Sequence, residues 1–241
     1  MSLSKMNLPS PAQSTTRIWD LPTRLFHLGF AGCVIGAIVT AKIGNTWMEW
    51  HVPLGIAALA MLTFRIIWGL IGPRYARVSQ FVCGPVTVWH YILTMTKHTH
   101  QTPGHNPLGA LSVLAMLAII GVQAVTGLFA NDDILTQGPL AQFVSDSTSS
   151  FLTGLHQFNE KFVYLVIGMH LIAIFIYTLK GQQLIGPMVC GDVPTQKLPL
   201  NTPSARDDWG IRVGALALAA ILAFAAWWLI QLAANAGASF N

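Results

Sequence analysis

Charged residues are scarce in this chain. Asp, Glu, Lys and Arg make up 9% of its 241 residues, while hydrophobic residues make up 53%. A soluble domain carries about 25% charged residues, so this composition excludes an ordinary soluble globule. We therefore expect most of the chain to lie in lipid.

Cysteine is also scarce, and its positions follow no pattern. The three residues are Cys33, Cys83 and Cys190. No Cys-x-x-Cys-His motif occurs, which excludes a covalently attached c-type haem. The amino terminus, MSLSKMNLPSPAQSTTR, lacks the apolar run and the cleavage site of a signal peptide. We expect residues 1–16 to form a polar tail before the first membrane helix.

The chain does contain five long apolar stretches. Each approaches or exceeds the roughly 20 residues that a helix needs to cross a bilayer. No strand-like alternation accompanies them, and lipid does not tolerate unpaired backbone groups, so the predicted fold is an all-α integral membrane bundle. The predicted spans are Leu25–Ala41, Trp50–Ile71, Leu108–Phe129, Thr153–Leu179 and Ile211–Leu232.

The basic residues predict the orientation of these spans. The loop from Asn131 to Leu152 contains three aspartates and no Lys or Arg. The positive-inside rule assigns the opposite, basic side to the cytoplasm, so the amino terminus is cytoplasmic and the carboxyl terminus lies outside. The net charge of +4 then reflects topology and not nucleic-acid binding. The basic residues on the cytoplasmic side are Lys5, Arg17, Arg24, Arg74, Arg77, Lys97, Lys180, Lys197, Arg206 and Arg212.

Two cytoplasmic connections differ in character. The first contains FVCGPVTVWHYILTM, which predicts an interfacial helix after Pro85. The second, Gly181–Arg206, contains four prolines and predicts an irregular loop. The fifth span carries no His, Asp, Glu or Lys, so an anchoring role suffices for it.

Four histidines in the apolar spans are the main functional signal. His156 and His170 are fourteen residues apart, which on one helix is about 21 Å along the axis and nearly the same face. Ionisable groups inside a membrane are expensive and usually have a function there. Following each helix through the bilayer predicts an outer pair, His51 with His156, and an inner pair, His27 with His170.

Two imidazoles at each depth favour one haem b per pair. Zinc prefers three or four closely grouped ligands, whereas a b-type haem needs two axial imidazoles and an apolar slot. The alternative is four satisfied core or interface histidines. Several glycines near the histidines favour a macrocycle, although helix packing alone would also explain them: Gly29, Gly32, Gly36, Gly55 and Gly168.

Other polar residues have candidate roles. Arg65 lies fourteen residues after His51, so it is a candidate partner for a haem propionate, with a snorkelling arginine as the alternative. Arg24 is a weaker candidate. Glu160 and Lys161 are interpreted as an interfacial ion pair. The remaining histidines are expected to be interfacial or solvated: His90, His98, His100 and His105.

Three segments resemble the bacterial cytochrome b561 family, which includes the b-type cytochrome subunits of nickel–iron hydrogenases. They are IWDLPTRLFH (Ile18–His27), WHVPLGIAALAMLTFRIIWGLIGPRYAR (Trp50–Arg77) and GHNPLGALSVLAML (residues 104–117), joined by the histidine pair of the fourth span. The resemblance implies a four-helix diheme core over residues 17–190, with two haems b ligated by His27, His51, His156 and His170. A cytoplasmic linker, 191–210, and a fifth transmembrane helix with its tail, 211–241, follow this core.

The resemblance also implies a function. It predicts a multi-pass protein of the bacterial inner membrane that passes electrons between quinone or quinol and a periplasmic partner, a c-type cytochrome or a hydrogenase-like complex. A bound quinone is a further expected ligand. The first alternative is a stand-alone superoxide:quinone oxidoreductase, although the acidic outer loops disfavour it. The second is a membrane anchor or transporter without haem.

Overall fold

The computed structural model describes residues 14–94, 102–132 and 136–238. That part of the chain contains seven α-helices, two short strands and four 3₁₀ turns. The 3₁₀ turns are Asn45–Trp47, Val78–Gln80, Ala141–Phe143 and Thr195–Lys197. The strands and α-helices are β1 (Thr15–Arg17), α1 (Leu21–Ile43), α2 (Met48–Ile71), α3 (Pro85–Thr94), α4 (Pro107–Gly127), α5 (Asp146–Leu179), α6 (Ile185–Cys190), β2 (Asp192–Pro194) and α7 (Trp209–Ala238).

Five helices, α1, α2, α4, α5 and α7, are long and apolar enough to cross a membrane. This confirms the predicted all-α membrane fold. Two of them begin earlier than predicted because polar residues cap them. Asp20 Oδ1 accepts a hydrogen bond from the Thr23 amide at 2.9 Å, and Ser145 Oγ accepts one from the Thr148 amide at 3.3 Å.

The membrane helices pack mainly as two hairpins. Helix α1 packs along α2, α4 packs along α5, and α2 and α4 join the hairpins. Gly44, with a φ of +69°, ends α1 and allows the tight return into α2. We call the side that carries residues 14–20 the inner side and the side of this turn the outer side.

The fifth membrane helix, α7, packs against α2 and touches α1. Ala215 of α7 is buried in one cluster with Phe64 and Trp68 of α2. Small residues such as Ala215 let two helices approach closely in a membrane. Helix α7 is therefore an integral side of the bundle, not an isolated tether.

Both connections on the inner side contain regular elements, and the second pairs with the amino-terminal segment. The helix predicted after Pro85 is present as α3. The prediction of an irregular loop for Gly181–Arg206 was wrong in part, because this segment contains helix α6 and strand β2. Strand β2 pairs antiparallel with β1, with Thr16 opposite Val193. The sequence did not indicate this sheet, since a three-residue strand has no readable alternation.

Asp207, in the connection between β2 and α7, binds residues of strand β1, the start of α1 and the start of α7. Its carboxylate accepts hydrogen bonds from Arg17 at 3.0 Å, from Arg212 at 3.1 Å and from the Leu21 amide at 3.0 Å. Burial alone would raise the pKa of Asp207, but the hydrogen bonds from Arg212 and Leu21 and the nearby positive charges outweigh it and lower that pKa. The ionised carboxylate therefore ties β1, α1 and α7 together.

Candidate functional site

The outer side of the bundle contains the first histidine pair. His51 lies in the first turns of α2, and His156 lies on α5 across the bundle interior. Their ring centres are 6.1 Å apart, and the ring planes are nearly perpendicular, at 89°.

The inner side contains the second pair. His27 lies in the second turn of α1, and His170 lies fourteen residues after His156 on α5. Their ring centres are 6.4 Å apart, with an angle of 52° between the planes. The two pairs are separated by about 21 Å along α5.

Both ring separations fit two axial ligands of one iron. A metal lies about 2.0–2.1 Å from an imidazole nitrogen, which places the centres of two opposed rings about 6 Å apart. Within the described ranges, no group of three or more His, Cys, Asp or Glu residues could hold a metal ion. The donor set therefore suits a haem with two imidazoles better than a multidentate metal site.

A cavity of about 270 Å³ lies beside the outer pair. Gly55, one turn after His51, lines it, and a β-carbon at Gly55 would meet no atom within 4 Å. The rest of the lining is mostly apolar. These features provide the apolar space that a flat macrocycle requires.

Hydrogen bonds fix both rings of the outer pair. The Nδ1 atom of His51 lies 2.9 Å from the main-chain oxygen of Ala37, and that of His156 lies 2.9 Å from the main-chain oxygen of Gln123. A carbonyl oxygen only accepts, so each Nδ1 carries the proton and each Nε2 keeps its lone pair. A metal-ligating histidine commonly has this arrangement.

Gln123 and Asn159 form a polar network beside His156 that was not predicted from the sequence. The side-chain nitrogen of Gln123 lies 3.0 Å from the Nε2 of His156. Asn159 donates to the side-chain oxygen of Gln123 at 2.8 Å and to the main-chain oxygen of Ile119 at 3.0 Å. The available signal was two amide side chains inside apolar spans, because polar groups at membrane depth usually have a partner.

The inner pair has a different environment. No hydrogen bond to either ring of His27 or His170 is present among the described residues, and the Nδ1 of His27 is buried without a partner. On the same inner side, the side chain of Arg65 is buried and donates to the main-chain oxygen of Ala76 at 3.0 Å.

His105 corrects one expectation. We expected it to be interfacial or solvated, but its ring packs between Trp19 and Phe81, at 4.9 and 4.6 Å between ring centres. Burial, followed by the positive charge of Arg65, lowers the pKa of His105 to about 3, so its ring is neutral near pH 7. The sequence did not reveal this because the contacts come from three distant segments. His90 is exposed, as expected, while His98 and His100 lie outside the described residues.

The glycines near the histidines divide into two groups. A β-carbon at Gly29 would approach Met61 to 2.7 Å, and one at Gly36 would approach Leu54 to 3.0 Å, so both glycines serve the packing of α1 on α2. A β-carbon added at Gly32, Gly55 or Gly168 would meet no atom within 4 Å. Of these, Gly55 lines the outer cavity.

Two expectations about charged residues are revised. Glu160 pairs with Lys42 at 2.8 Å, while Lys161 lies over the ring of Phe158, so the expected pair of Glu160 with Lys161 was wrong. Neighbours in a helix point in different directions, which explains this error. Arg24 donates to the main-chain oxygen of Val189 at 2.7 Å and lies 3.9 Å from Asp207, so its contacts are with the inner connection.

Of the comparisons with known proteins, a match to a family model agrees with this architecture. No curated protein and no solved structure matches the chain. The family model of prokaryotic cytochrome b561 matches residues 18–191, which is more than half of the chain and includes all four membrane-embedded histidines. The chain belongs to the prokaryotic cytochrome b561 family, and it is a membrane-spanning b-type cytochrome that binds haem and transfers electrons.

Proposed function

We propose that the chain is a diheme cytochrome b that carries electrons across the bacterial inner membrane, between the quinone pool and a redox partner on the periplasmic side. The observation that carries this proposal is the presence of two imidazole pairs, 6.1 and 6.4 Å between ring centres, at two depths of one bundle. Two redox centres at two depths provide a path across the membrane, which one centre would not.

The protein contributes ligation, orientation and exclusion of water. His51 and His156 would hold the outer haem b, and His27 and His170 the inner one. When bound, each haem supplies a one-electron couple at its iron. The main-chain oxygens of Ala37 and Gln123 orient the outer rings, and the apolar helix faces keep the slots dry.

Arg65 supports a propionate near the inner pair. Its side chain is 4% exposed, and no Asp or Glu of the described residues lies within 4 Å of its guanidinium. The buried carboxylate of Asp20 acts on Arg65 electrostatically but forms no ion pair with it, so a propionate would supply the direct anionic contact that this buried arginine lacks. The same burial disfavours the alternative of a snorkelling arginine.

The orientation follows from the basic residues. The inner side would face the cytoplasm and the acidic outer loop the periplasm, with the carboxyl terminus of α7 on the periplasmic side. Residues 17–190 would form the diheme core, residues 191–210 the linker, and residues 211–241 a fifth transmembrane helix and its carboxyl-terminal tail.

The outer surface favours a basic electron-transfer partner over free superoxide. Asp132 and Glu160 are the charged residues in the lining of the outer cavity, and Lys42 pairs with Glu160. The outer loop from Asn131 to Leu152 contains three aspartates and no Lys or Arg, so its charge is acidic. Negative charge attracts a basic protein such as a c-type cytochrome and repels a small anion. A hydrogenase-like complex is the second partner class. Quinone or quinol would exchange electrons from the membrane phase.

The test is haem stoichiometry in the purified protein and in single histidine variants. We expect two non-covalent haems b per chain, measured by pyridine haemochrome. His51→Ala and His156→Ala should lose the same haem, and His27→Ala and His170→Ala the other. His90→Ala, which removes an exposed histidine of α3, is the matched control and should keep both haems.

The contrary outcomes are distinct. One haem per chain would leave one histidine pair without this function. Absence of haem from protein produced with haem available would favour the membrane anchor or transporter. Loss of the same haem in His27→Ala and His51→Ala would contradict the assignment of the pairs. Reduction by superoxide faster than by any protein donor would favour the stand-alone oxidoreductase.

A further inference from the structure

His105 is a histidine outside the four ligand candidates, and its ring has no polar contact within the protein. The ring packs between Trp19 and Phe81, at 4.9 and 4.6 Å between ring centres. Among the described residues no hydrogen bond to either ring nitrogen is present, and Nδ1 is buried without a partner. A polar group buried in this way is costly unless something pairs with it. The ring therefore indicates a ligand that the chain itself does not supply.

His105 lies beside the inner histidine pair. The ring of Phe81, which packs against His105, also lies under the guanidinium of Arg65, whose central carbon is 5.9 Å from the centre of that ring. Arg65, His27 and His170 all lie within electrostatic range of His105. The ring therefore belongs to the same buried region as the arginine and the two imidazoles that would hold the inner haem.

The neutral ring of His105 has one N–H to donate. Its pKa of about 3 keeps the ring uncharged near pH 7, and an uncharged imidazole carries its proton on one nitrogen only. A proton on Nδ1 would be buried without an acceptor, which is the costlier arrangement for a polar group. This favours the proton on Nε2, where it can be donated to an acceptor at the inner site.

The carboxylate that already lies in this region is not that acceptor. Asp20 is buried and acts on Arg65 electrostatically. Its oxygens accept hydrogen bonds from the Thr23 amide, the Thr23 hydroxyl and the Trp68 indole, at 2.9, 2.7 and 3.1 Å. Arg65 and His105 are thus two buried donor groups that share the lack of a direct anionic contact. A carboxylate that enters with the cofactor suits both of them.

We propose that His105 donates a hydrogen bond from its ring to a propionate of the haem held by His27 and His170, beside the guanidinium of Arg65. This rests on the proposed function, since it needs a haem at the inner pair. Two axial imidazoles alone leave a macrocycle free to rotate about the axis through the iron, and a propionate held at its edge prevents this rotation. His105 therefore binds and orients the cofactor without ligating its iron.

The test changes His105 and the propionates in turn. The apoprotein is reconstituted with haem b or with its dimethyl ester, whose propionates carry no charge. Release of the inner haem to apomyoglobin in detergent is then measured, and the inner haem is identified as the one that His27→Ala lacks. His105→Phe keeps an aromatic ring between Trp19 and Phe81 but removes the donor.

With haem b, His105→Phe should release the inner haem about 10- to 100-fold faster than the wild type, the effect of losing a hydrogen bond to a charged group. With the dimethyl ester, the two proteins should differ by about threefold at most, because the charged partner is already absent. His105→Gln retains a donor and is the matched variant, so with haem b it should stay within about threefold of the wild type.

Two results would overturn the proposal. Equal acceleration of both haems in His105→Phe would show that the ring acts by packing alone. No acceleration with haem b would show that the ring does not contact a propionate.

If His105→Phe does not fold, His105→Gln provides the decisive measurement. Haem isotopically labelled at its propionate carboxyl carbons reveals the carboxylate bands in the reduced-minus-oxidised infrared spectrum. The band of the inner haem should differ between the wild type and His105→Gln, because the donor changes from an imidazole to an amide. An unchanged band would overturn the proposal.

The failures of the two proposals are separable. A wild type without an inner haem overturns this proposal together with the diheme function. A wild type with two haems, whose inner haem does not respond to changes at His105, overturns this proposal alone.

Discussion

Gly127, at the end of α4, lies directly against the ring of His156 on α5. A β-carbon at position 127 would lie 2.9 Å from Cε1 and 3.2 Å from Nδ1 of that ring. No carbon atom is tolerated at such a distance, and the ring is held by its hydrogen bond to Gln123. The outer site therefore requires glycine at this position for close approach of the two helices.

We expect Gly127→Ala to displace His156 and weaken haem binding at the outer site by about 10- to 100-fold, the range found when contacts behind a metal ligand are lost. The inner haem should be retained. Gly154→Ala on α5 is the control, because a β-carbon there meets nothing within 4 Å. Haem content and the reduced-minus-oxidised spectrum measure both effects. Equal losses in the two variants would show that the effect is not specific to His156.

The sequence predicted the membrane helices because hydrophobicity is a property of consecutive residues. It also placed the four histidines by depth, since helix rise and chain direction are regular. Contacts between distant segments were not predictable in this way. The burial of His105 depends on Trp19 and Phe81, and the β1–β2 sheet pairs residues about 180 positions apart. Gly127 showed no sequence signal at all, because its role depends on the rotation of α4 relative to α5.

Gln123 allows the side-chain and main-chain contacts to His156 to be separated. Its side-chain nitrogen lies 3.0 Å from Nε2, the atom that would bind iron, while its main-chain oxygen accepts from Nδ1–H. Gln123→Leu removes the side-chain contact to Nε2, which bound iron would replace, and the hydrogen bond that Asn159 donates to the Gln123 side chain, while the main-chain contact stays. We therefore expect this variant to keep both haems and to lose about 1 kcal/mol of stability, the typical net value of a hydrogen bond.

His156→Gln is the comparison for Gln123→Leu, and it should lose the outer haem. The measurement is haem per chain together with the thermal unfolding midpoint in detergent. If Gln123→Leu loses the outer haem as completely as His156→Gln, the side chain of Gln123 is essential to the site and the main-chain contact does not suffice.

Asp20 couples the start of α1 to the inner end of α2. This carboxylate is 1% exposed and accepts from the Thr23 amide, the Thr23 hydroxyl and the indole nitrogen of Trp68 at 2.9, 2.7 and 3.1 Å. Asp20→Ala removes a helix cap and leaves the indole unpaired, so we expect a loss of about 2–4 kcal/mol. Trp68→Phe removes only the last bond and should cost less.

Chemical or thermal unfolding of these two variants in detergent measures the difference. His27 lies seven residues after Asp20, so the inner haem should become more labile in Asp20→Ala while the outer haem is retained. Preferential loss of the outer haem would show that Asp20 does not act on the inner site.

The ion pairs of Asp207 should make the stability of the inner side sensitive to acid. Its pKa in the folded protein is lowered below the ordinary value of about 3.9 because the bonds from Arg212 and Leu21 outweigh the effect of burial. A lowered folded pKa gives stability that is fully present above the unfolded pKa and is lost as the pH falls through the folded pKa. The wild type should therefore lose stability below about pH 4 as this carboxylate becomes protonated.

Asp207→Asn should be less stable than the wild type at pH 7 by about 1–3 kcal/mol, a value reduced from that of a fully buried pair because Arg17 and Arg212 are partly exposed. The difference between the two proteins should shrink as the pH falls below 4, since protonation removes the same charge from the wild type. Asp208→Asn is the control: this neighbouring carboxylate is exposed and pairs with Arg206, so solvent screens it and its effect should be smaller. Thermal unfolding between pH 7 and pH 3 measures both variants. A difference between Asp207→Asn and the wild type that is independent of pH would show that the stabilisation comes from packing and not from the charge of Asp207.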